Sequence, residues 1–266
     1  DVKFQDGSWH TILVSGLAAG GQGVFAIDIT DPAAFTEANA SNIVLWEFSD
    51  HNDNWLGNTY SQPTVAKMNN GRFAVIFASG YNNPIGETGD TQLGSGCATL
   101  YILYVDGGVD GTWTFGTDYR FIDVLSGCST SNPNGLATPR VLDVDGNGTA
   151  DYIYAGDLNG RMWKFDVRNL DPTLWGIANS GTRLIRVRDA NGNAQPITAA
   201  ATIFHPNTDP AALGVGSMVL FGTGKYLEQV DDSPPFGDQT FYGVWDKHDG
   251  STISNPARSS LLKQEI

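Results

Sequence analysis

Short apolar runs recur along the chain, each bounded by Gly, Pro, Asn or Asp, and this pattern predicts many strands joined by tight turns. The runs come in sets that share one order: an apolar strand, a second apolar strand ending near Gly, then an aromatic-rich strand ending in Asp. The first set reads as strands over 10–16, 23–29 and 43–48. The second reads as 62–68, 73–80, 100–105 and 119–124, and the third as 138–143, 152–157, 162–167 and 183–188. A fourth set covers 197–202, 217–222 and 241–246, without a recognisable outer strand.

Four imperfect copies of such a unit are the signature of propeller blades. A blade buries both faces only against neighbours, so the core is expected between units. The fold class is therefore all-β, a modified β-propeller with about four blade-like repeats, over about 8–50, 60–128, 136–190 and 195–248. Residues 1–266 then form a single β-propeller domain, or a fragment of one. Insertions near 81–97, 106–118, 168–180 and 226–238 break the period, and such loops are where binding usually resides. A β-sandwich is the competing fold; the repeated Gly-ended second strand favours the propeller.

Between the first two strands of the third unit lies Asp143-Val144-Asp145-Gly146-Asn147-Gly148-Thr149-Ala150-Asp151. Oxygen ligands at alternate positions around a tight glycine turn suit Ca²⁺, a hard cation that takes six to eight oxygens. In EF-hand register Asp143, Asp145 and Asn147 supply the first three side chains, Thr149 its backbone carbonyl, and Asp151 the ninth position. Position twelve is Tyr154 where an EF-hand has a bidentate Glu, and the β-branched, aromatic sequence after the loop is wrong for a helix. The reading is a calcium loop joining two strands, with Asp151 closing the cage. The plainer alternative is a solvated acidic hairpin turn.

Charge narrows the partners. The net charge of −14 and the lack of any Lys/Arg-rich run make nucleic acid an improbable ligand. The acidity fits cation binding or solubility outside the cell. No apolar run approaches the roughly 18 residues of a membrane span. Asp1 does not look like a native start, so the chain reads as a mature fragment whose export signal was removed or left out. If 100–105 and 119–124 form an antiparallel hairpin paired end to end, Cys97 and Cys128 fall within one residue of opposition. A disulfide there would close a loop worth roughly 3–4 kcal/mol and imply an oxidising compartment. Two reduced, buried thiols are the alternative.

Other candidate chemistry is thin. His10, His51, His205 and His248 occupy separate segments, and none lies in a triad motif. Asp50-His51-Asn52-Asp53 reads as a polar loop before it reads as a metal site. Gly20-Gly21-Gln22-Gly23 and Gly222-Thr223-Gly224-Lys225 open no helix and read as turns rather than phosphate loops. Asp106-Gly107-Gly108-Val109-Asp110-Gly111 holds too few acids for a strong second cation site. The tryptophans fit wedges between blades better than a carbohydrate groove.

Four stretches resemble the C-terminal domain of PilY/PilC-type pilus tip proteins. They are Tyr60-Ser61-Gln62-Pro63-Thr64-Val65 with Phe77-Ala78-Ser79-Gly80-Tyr81-Asn82-Asn83, the run from Asp143 through Asp157 to Asp166, and Phe221-Gly222-Thr223-Gly224-Lys225-Tyr226-Leu227. The resemblance spans nearly the whole chain. It implies a modified β-propeller with one calcium loop, its ligands on Asp143, Asp145, Asn147, the Thr149 carbonyl and Asp151. It also implies an extracellular, non-enzymatic factor at the pilus tip or bacterial surface (fimbrium, outer membrane). Its partners would be minor pilins or the pilus tip, and a host-cell or surface receptor. Pilus biogenesis, control of retraction, twitching motility and adhesion are the implied roles. The chain has no Arg-Gly-Asp sequence, and about four blades are visible where the family's propeller has more. Two other readings stand beside this one: a quinone-dependent propeller dehydrogenase, against which the chain offers no adjacent Cys pair, and a generic propeller scaffold for another envelope protein.

Overall fold

The computed structural model describes residues 1–81, 94–125, 127–205 and 216–253. A short hairpin of β1 (Val2–Lys3) and β2 (Trp9–His10) precedes four antiparallel sheets. The first sheet holds β3 (Ile12–Gly16), β4 (Gly23–Asp28) and β5 (Val44–Ser49). The second holds β6 (Thr64–Lys67), β7 (Phe73–Ala78), β8 (Ala98–Tyr104) and β9 (Tyr119–Val124). In the third, β10 (Arg140–Leu142), β11 (Tyr152–Gly156) and β12 (Arg161–Asp166) are edged by two short strands, β13 (Gly176–Ile177) and β14 (Ile185–Arg186). The fourth holds β15 (Thr202–Phe204), β16 (Ser217–Gly222) and β17 (Phe241–Asp246). Two expectations shift: the strand expected over 183–188 shrinks to β14, and the one expected over 197–202 starts only at Thr202.

Side chains alternate across each strand, and the core follows that alternation. Val75 and Phe77 of β7 face the first sheet and meet Val24, Ala26, Trp46 and Phe48. Their neighbours Ala74 and Ile76 face the third sheet, with Ile153, Ala155, Trp163 and Phe165. The other face of the third sheet, Tyr152, Tyr154, Met162 and Ile185, packs on Val219, Phe221, Tyr242 and Val244 of the fourth. Every residue of β8 is buried because both faces of its sheet are covered. In β17 burial alternates strictly, leaving Phe241 and Trp245 exposed on the outward face. Trp46, Trp163 and Trp175 are buried in these layers, whereas Trp9 and Trp245 are exposed, so wedging accounts for only part of the tryptophan set.

The β8–β9 ladder pairs Ala98 with Val124, which puts Leu125 rather than Cys128 opposite Cys97. Cys97 and Cys128 are nevertheless joined, with Cα atoms 5.1 Å apart. The turn after Val124, not the ladder, brings Cys128 back.

Charge is buried between the third and fourth sheets. Lys164 Nζ lies 2.8 Å from Asp246 Oδ2 and 2.8 Å from His248 Nδ1. The Tyr154 hydroxyl donates to the same carboxylate at 2.7 Å. Ser217 Oγ joins His248 Nε2 at 2.8 Å and His205 Nδ1 at 2.9 Å. Burial, then the Lys164 charge, pushes the His248 imidazole down to about 4. An unfolded histidine titrates near 6.5, so between those values the unfolded chain binds the extra proton. The His248 contribution is therefore complete above about 6.5 and is lost as pH falls towards 4. Asp123 has the opposite sign: burial raises its carboxyl to about 6, so its contribution is present at low pH and fades as pH rises through that value. We expect wild type to lose up to about 3 kcal/mol more than His248→Gln between pH 7 and pH 4 in urea titrations. Parallel profiles for the two proteins would exclude His248 as the source.

Candidate metal centre

The ladder between β10 and β11 closes at Leu142 and Tyr152, and residues 143–151 curl beyond it. Gly146 at φ 72° and Gly148 at φ 85° take the left-handed backbone that the reversal requires. Asp143 accepts the N–H groups of Gly146 at 2.7 Å, Asn147 at 3.2 Å and Gly148 at 2.7 Å. Asp145 accepts both the backbone and side-chain N–H of Asn147, at 3.1 and 3.0 Å. The Asn147 Oδ1 is held by the backbone N–H of Thr149 at 2.8 Å and by its hydroxyl. Asp151 is 5% exposed and accepts the Val144 N–H at 2.8 Å.

One carboxylate oxygen each from Asp143, Asp145 and Asp151 lies within 4.8 Å of the others, the one such acidic trio among the described residues. Oxygens bound to one Ca²⁺ at 2.3–2.6 Å can sit no more than roughly 5 Å apart. Three anions at that spacing repel. Burial raises the Asp151 carboxyl, and the charges of Asp145 and Asp143 raise it further. A divalent ion removes both penalties, so the donor set fits a hard metal ion. The Thr149 carbonyl takes no hydrogen bond among the described residues, which leaves its lone pairs free.

The loop is clasped to the second sheet by contacts that no local pattern announced. The Ala150 N–H donates to the Lys67 carbonyl at 2.8 Å. Asn69 Nδ2 donates to the Ala150 carbonyl at 2.6 Å, while its Oδ1 accepts the Thr149 hydroxyl at 3.0 Å. In sequence Asn69 reads only as part of the Asn-Asn-Gly turn between β6 and β7. Tyr154, at the position of the missing Glu, is fully buried and bonded to Asp246, away from the loop. A cleft of about 570 Å³ opens beside the trio, with Asp143, Thr149, Lys67 and Phe73 in its wall.

The histidines behave less simply than their separation in sequence suggests. His205 and His248 come within 6.0 Å, and Ser217, His248 and Asp246 form a triad-like row. It is not a nucleophile. The Lys164 ammonium donates to His248 Nδ1, so the ring's proton sits on Nε2 and points at Ser217 instead of accepting from it. Ser217 is also fully buried, and Asp246 is 3.6 Å from the ring nitrogen, too far to orient it. Asp53 accepts the Tyr101 and Tyr119 hydroxyls at 3.0 and 3.3 Å, which makes the 50–53 loop a structural anchor. Asp106 binds the Gln5 N–H at 2.8 Å and Arg72 at 2.9 Å, anchoring the first hairpin. Lys225 pairs with Glu228 at 3.1 Å in a turn.

A family model described as the PilY1 beta-propeller domain matches residues 1–266. The type IV pilus biogenesis factor PilY1 of Pseudomonas aeruginosa (strain UCBPP-PA14) is 35% identical over 289 residues, covering 99% of this chain and 22% of that protein. A Xylella fastidiosa (strain Temecula1) homolog of that factor is 34% identical over 275 residues, covering 99% of this chain and 16% of its own length. The crystal structure of the P. aeruginosa PilY1 C-terminal domain superposes with a TM-score of 0.76 at 33% identity, over 97% of this chain and 50% of that one. The chain thus spans only about a fifth of these curated relatives and half of the solved domain. Matched along its whole length, with its stacked sheets laid on a solved counterpart, the chain is a modified β-propeller and belongs to the PilY1 β-propeller family.

Proposed function

We propose that this chain is a Ca²⁺-binding propeller domain of a type IV pilus biogenesis factor. The observation that carries the reading is the convergence of Asp143, Asp145 and Asp151 in one glycine-bent loop, within a chain of the PilY1 family. Asn147 and the Thr149 carbonyl complete the proposed ligand set. Because the loop is tied to Asn69 and Lys67, an ion there braces the third sheet against the second. An extracellular module needs a dissociation constant of only about 10⁻⁴–10⁻³ M to fill outside cells. At a hundred times that constant the ion adds roughly 2.7 kcal/mol to the folded state.

In this reading the domain works outside the cell, at the pilus tip or bacterial surface, by binding rather than turnover. Its partners are minor pilins and a host-cell or surface receptor, and its roles are pilus assembly, control of retraction, twitching motility and adhesion. The relatives bear the name of a biogenesis factor, not of an enzyme, which supports the non-enzymatic reading. The quinone alternative loses its cofactor-capping pair, since Cys97 and Cys128 are 31 positions apart in sequence.

Asp151→Ala should weaken calcium binding by about 100-fold or more, since loss even of outer-shell partners costs 10–100-fold. Isothermal titration with calcium reads this directly, and unchanged affinity would remove Asp151 from the site. In the full-length parent protein, the same substitution should reduce surface pili and twitching zones in the native host. Normal piliation with lost calcium binding would separate the ion from pilus assembly.

A further inference from the structure

Arginines crowd the outer edge of the third sheet. The β12–β14 pairing sets Arg161 directly opposite Arg186, so two like charges share one face at cross-strand distance. Like charges in that position oppose folding unless something neutralises them. Arg183 and Arg188 flank β14, and the whole chain carries a net charge of −14, so this is no general basic surface. Burial lowers the Arg186 guanidinium, the charges of Arg188, Arg161 and Arg183 lower it further, and Asp157 acts the other way.

The nearby acids are already committed. Asp157 is fully buried and accepts from Asn134 Nδ2, Trp163 Nε1 and the N–H groups of Asn159 and Arg161, with Arg161 Nη1 at 3.5 Å. Asp189 is saturated by the N–H of Asn191 and by both the N–H and side chain of Asn193. Arg188 donates to the Gly192 carbonyl. Arg186, by contrast, has a buried Nε with no acceptor, and neither it nor Arg183 has an ion-pair or hydrogen-bond partner for its side chain among the described residues. Both are half-buried, so their donors still reach solvent at the edge. The adjoining wall is the disulfide turn of the second sheet, linked by Asn159 Nδ2 to the Gly127 carbonyl at 3.2 Å.

We propose that Arg183 and Arg186 form a binding site for a divalent oxyanion, a sulfate or phosphate group carried by a ligand outside this chain. Guanidinium forks match such oxygens in pairs. Arg183 and Arg186, neither with a side-chain partner among the described residues, carry two positive charges that one dianion balances. The site is independent of the calcium loop and of the proposed pilus role.

The test compares thermal unfolding of the chain in sodium sulfate and in sodium chloride at matched ionic strength, for wild type and for Arg186→Gln and Arg183→Gln. Sulfate should raise the wild-type midpoint saturably, with at least tenfold weaker apparent binding in Arg186→Gln. In chloride the order should reverse, with Arg186→Gln as stable as wild type or more so, because a like-charge pair has been relieved. Equal sulfate responses in wild type and both variants would mean general salt exclusion and would overturn the site. So would an Arg186→Gln protein less stable than wild type in both salts, which marks a purely structural arginine. A sulfated oligosaccharide competing better than inorganic sulfate assigns the anion to a glycan; equal competition assigns it to the free ion.

Discussion

Asp246→Ala should destabilise the protein by about 3–5 kcal/mol, the usual loss when one partner of a buried ion pair is removed. Lys164 and Asp246 are each 2% exposed, so neither charge has water to fall back on. Asp246 is ionised: burial presses its carboxyl up, but the Lys164 ammonium, the Tyr154 hydroxyl and the His248 N–H hold it below the usual range. Burial lowers the Lys164 ammonium, while Asp246 and the face of Tyr152, 3.9 Å away, favour its charged form. Removing Asp246 strands that ammonium against neutral rings. The double change Lys164→Met/Asp246→Leu should recover most of the loss, because a packed apolar pair replaces two desolvated charges. Urea unfolding of both singles and the double decides it. A double variant no better than Asp246→Ala would show that Asp246 acts through Tyr154 and His248 rather than through the lysine.

That pair also marks the limit of what could be read along the chain. In sequence Lys164 is an interruption in Met162-Trp163-Lys164-Phe165, and Asp246 is simply the acid that ends β17. Nothing local links them, since the link exists only when the third and fourth sheets stack. The strands themselves were legible because burial leaves a local trace, as in the unbroken apolar run 100–105 that fills most of β8. The alternation of burial in β17 has no such trace, since its outward residues include Phe241 and Trp245 and its buried end is Asp246. The acidic loop was legible for a similar reason, since Asp143, Asp145 and Asp151 lie within nine residues and two glycines bend them together. Asn69 was not, because a turn residue that reaches across to another sheet looks like any other turn residue. The fourth unit's first strand was misplaced for a related cause. Ile197 and Ala201 are buried against the fourth sheet and Ile197 bridges Gly224, so the two serve packing rather than ladder pairing.

Removing the Cys97–Cys128 bond should cost about 3–4 kcal/mol, close to the effect of breaking the buried pair. The bond spans 31 positions, and the chain-entropy model gives that figure for a loop of such length. Its folded-state neighbours give the loss a location. Gly127 takes a hydrogen bond from Asn159, and Gly96 takes the Asn134 N–H at 2.7 Å, while Asn134 also holds the buried Asp157. Opening the bond therefore frees the end of the β8–β9 hairpin from the third sheet. The replacement Cys97→Ser/Cys128→Ser, rather than either single change, avoids leaving a lone thiol. Its urea midpoint should match that of wild type in reductant, and amide exchange should accelerate first in β9 and the 134–136 segment. Thiol titration of the unfolded, unreduced wild-type chain should find no reactive group. If it finds two, the ladder end is held by packing alone, and the double serine variant should then be nearly as stable as wild type.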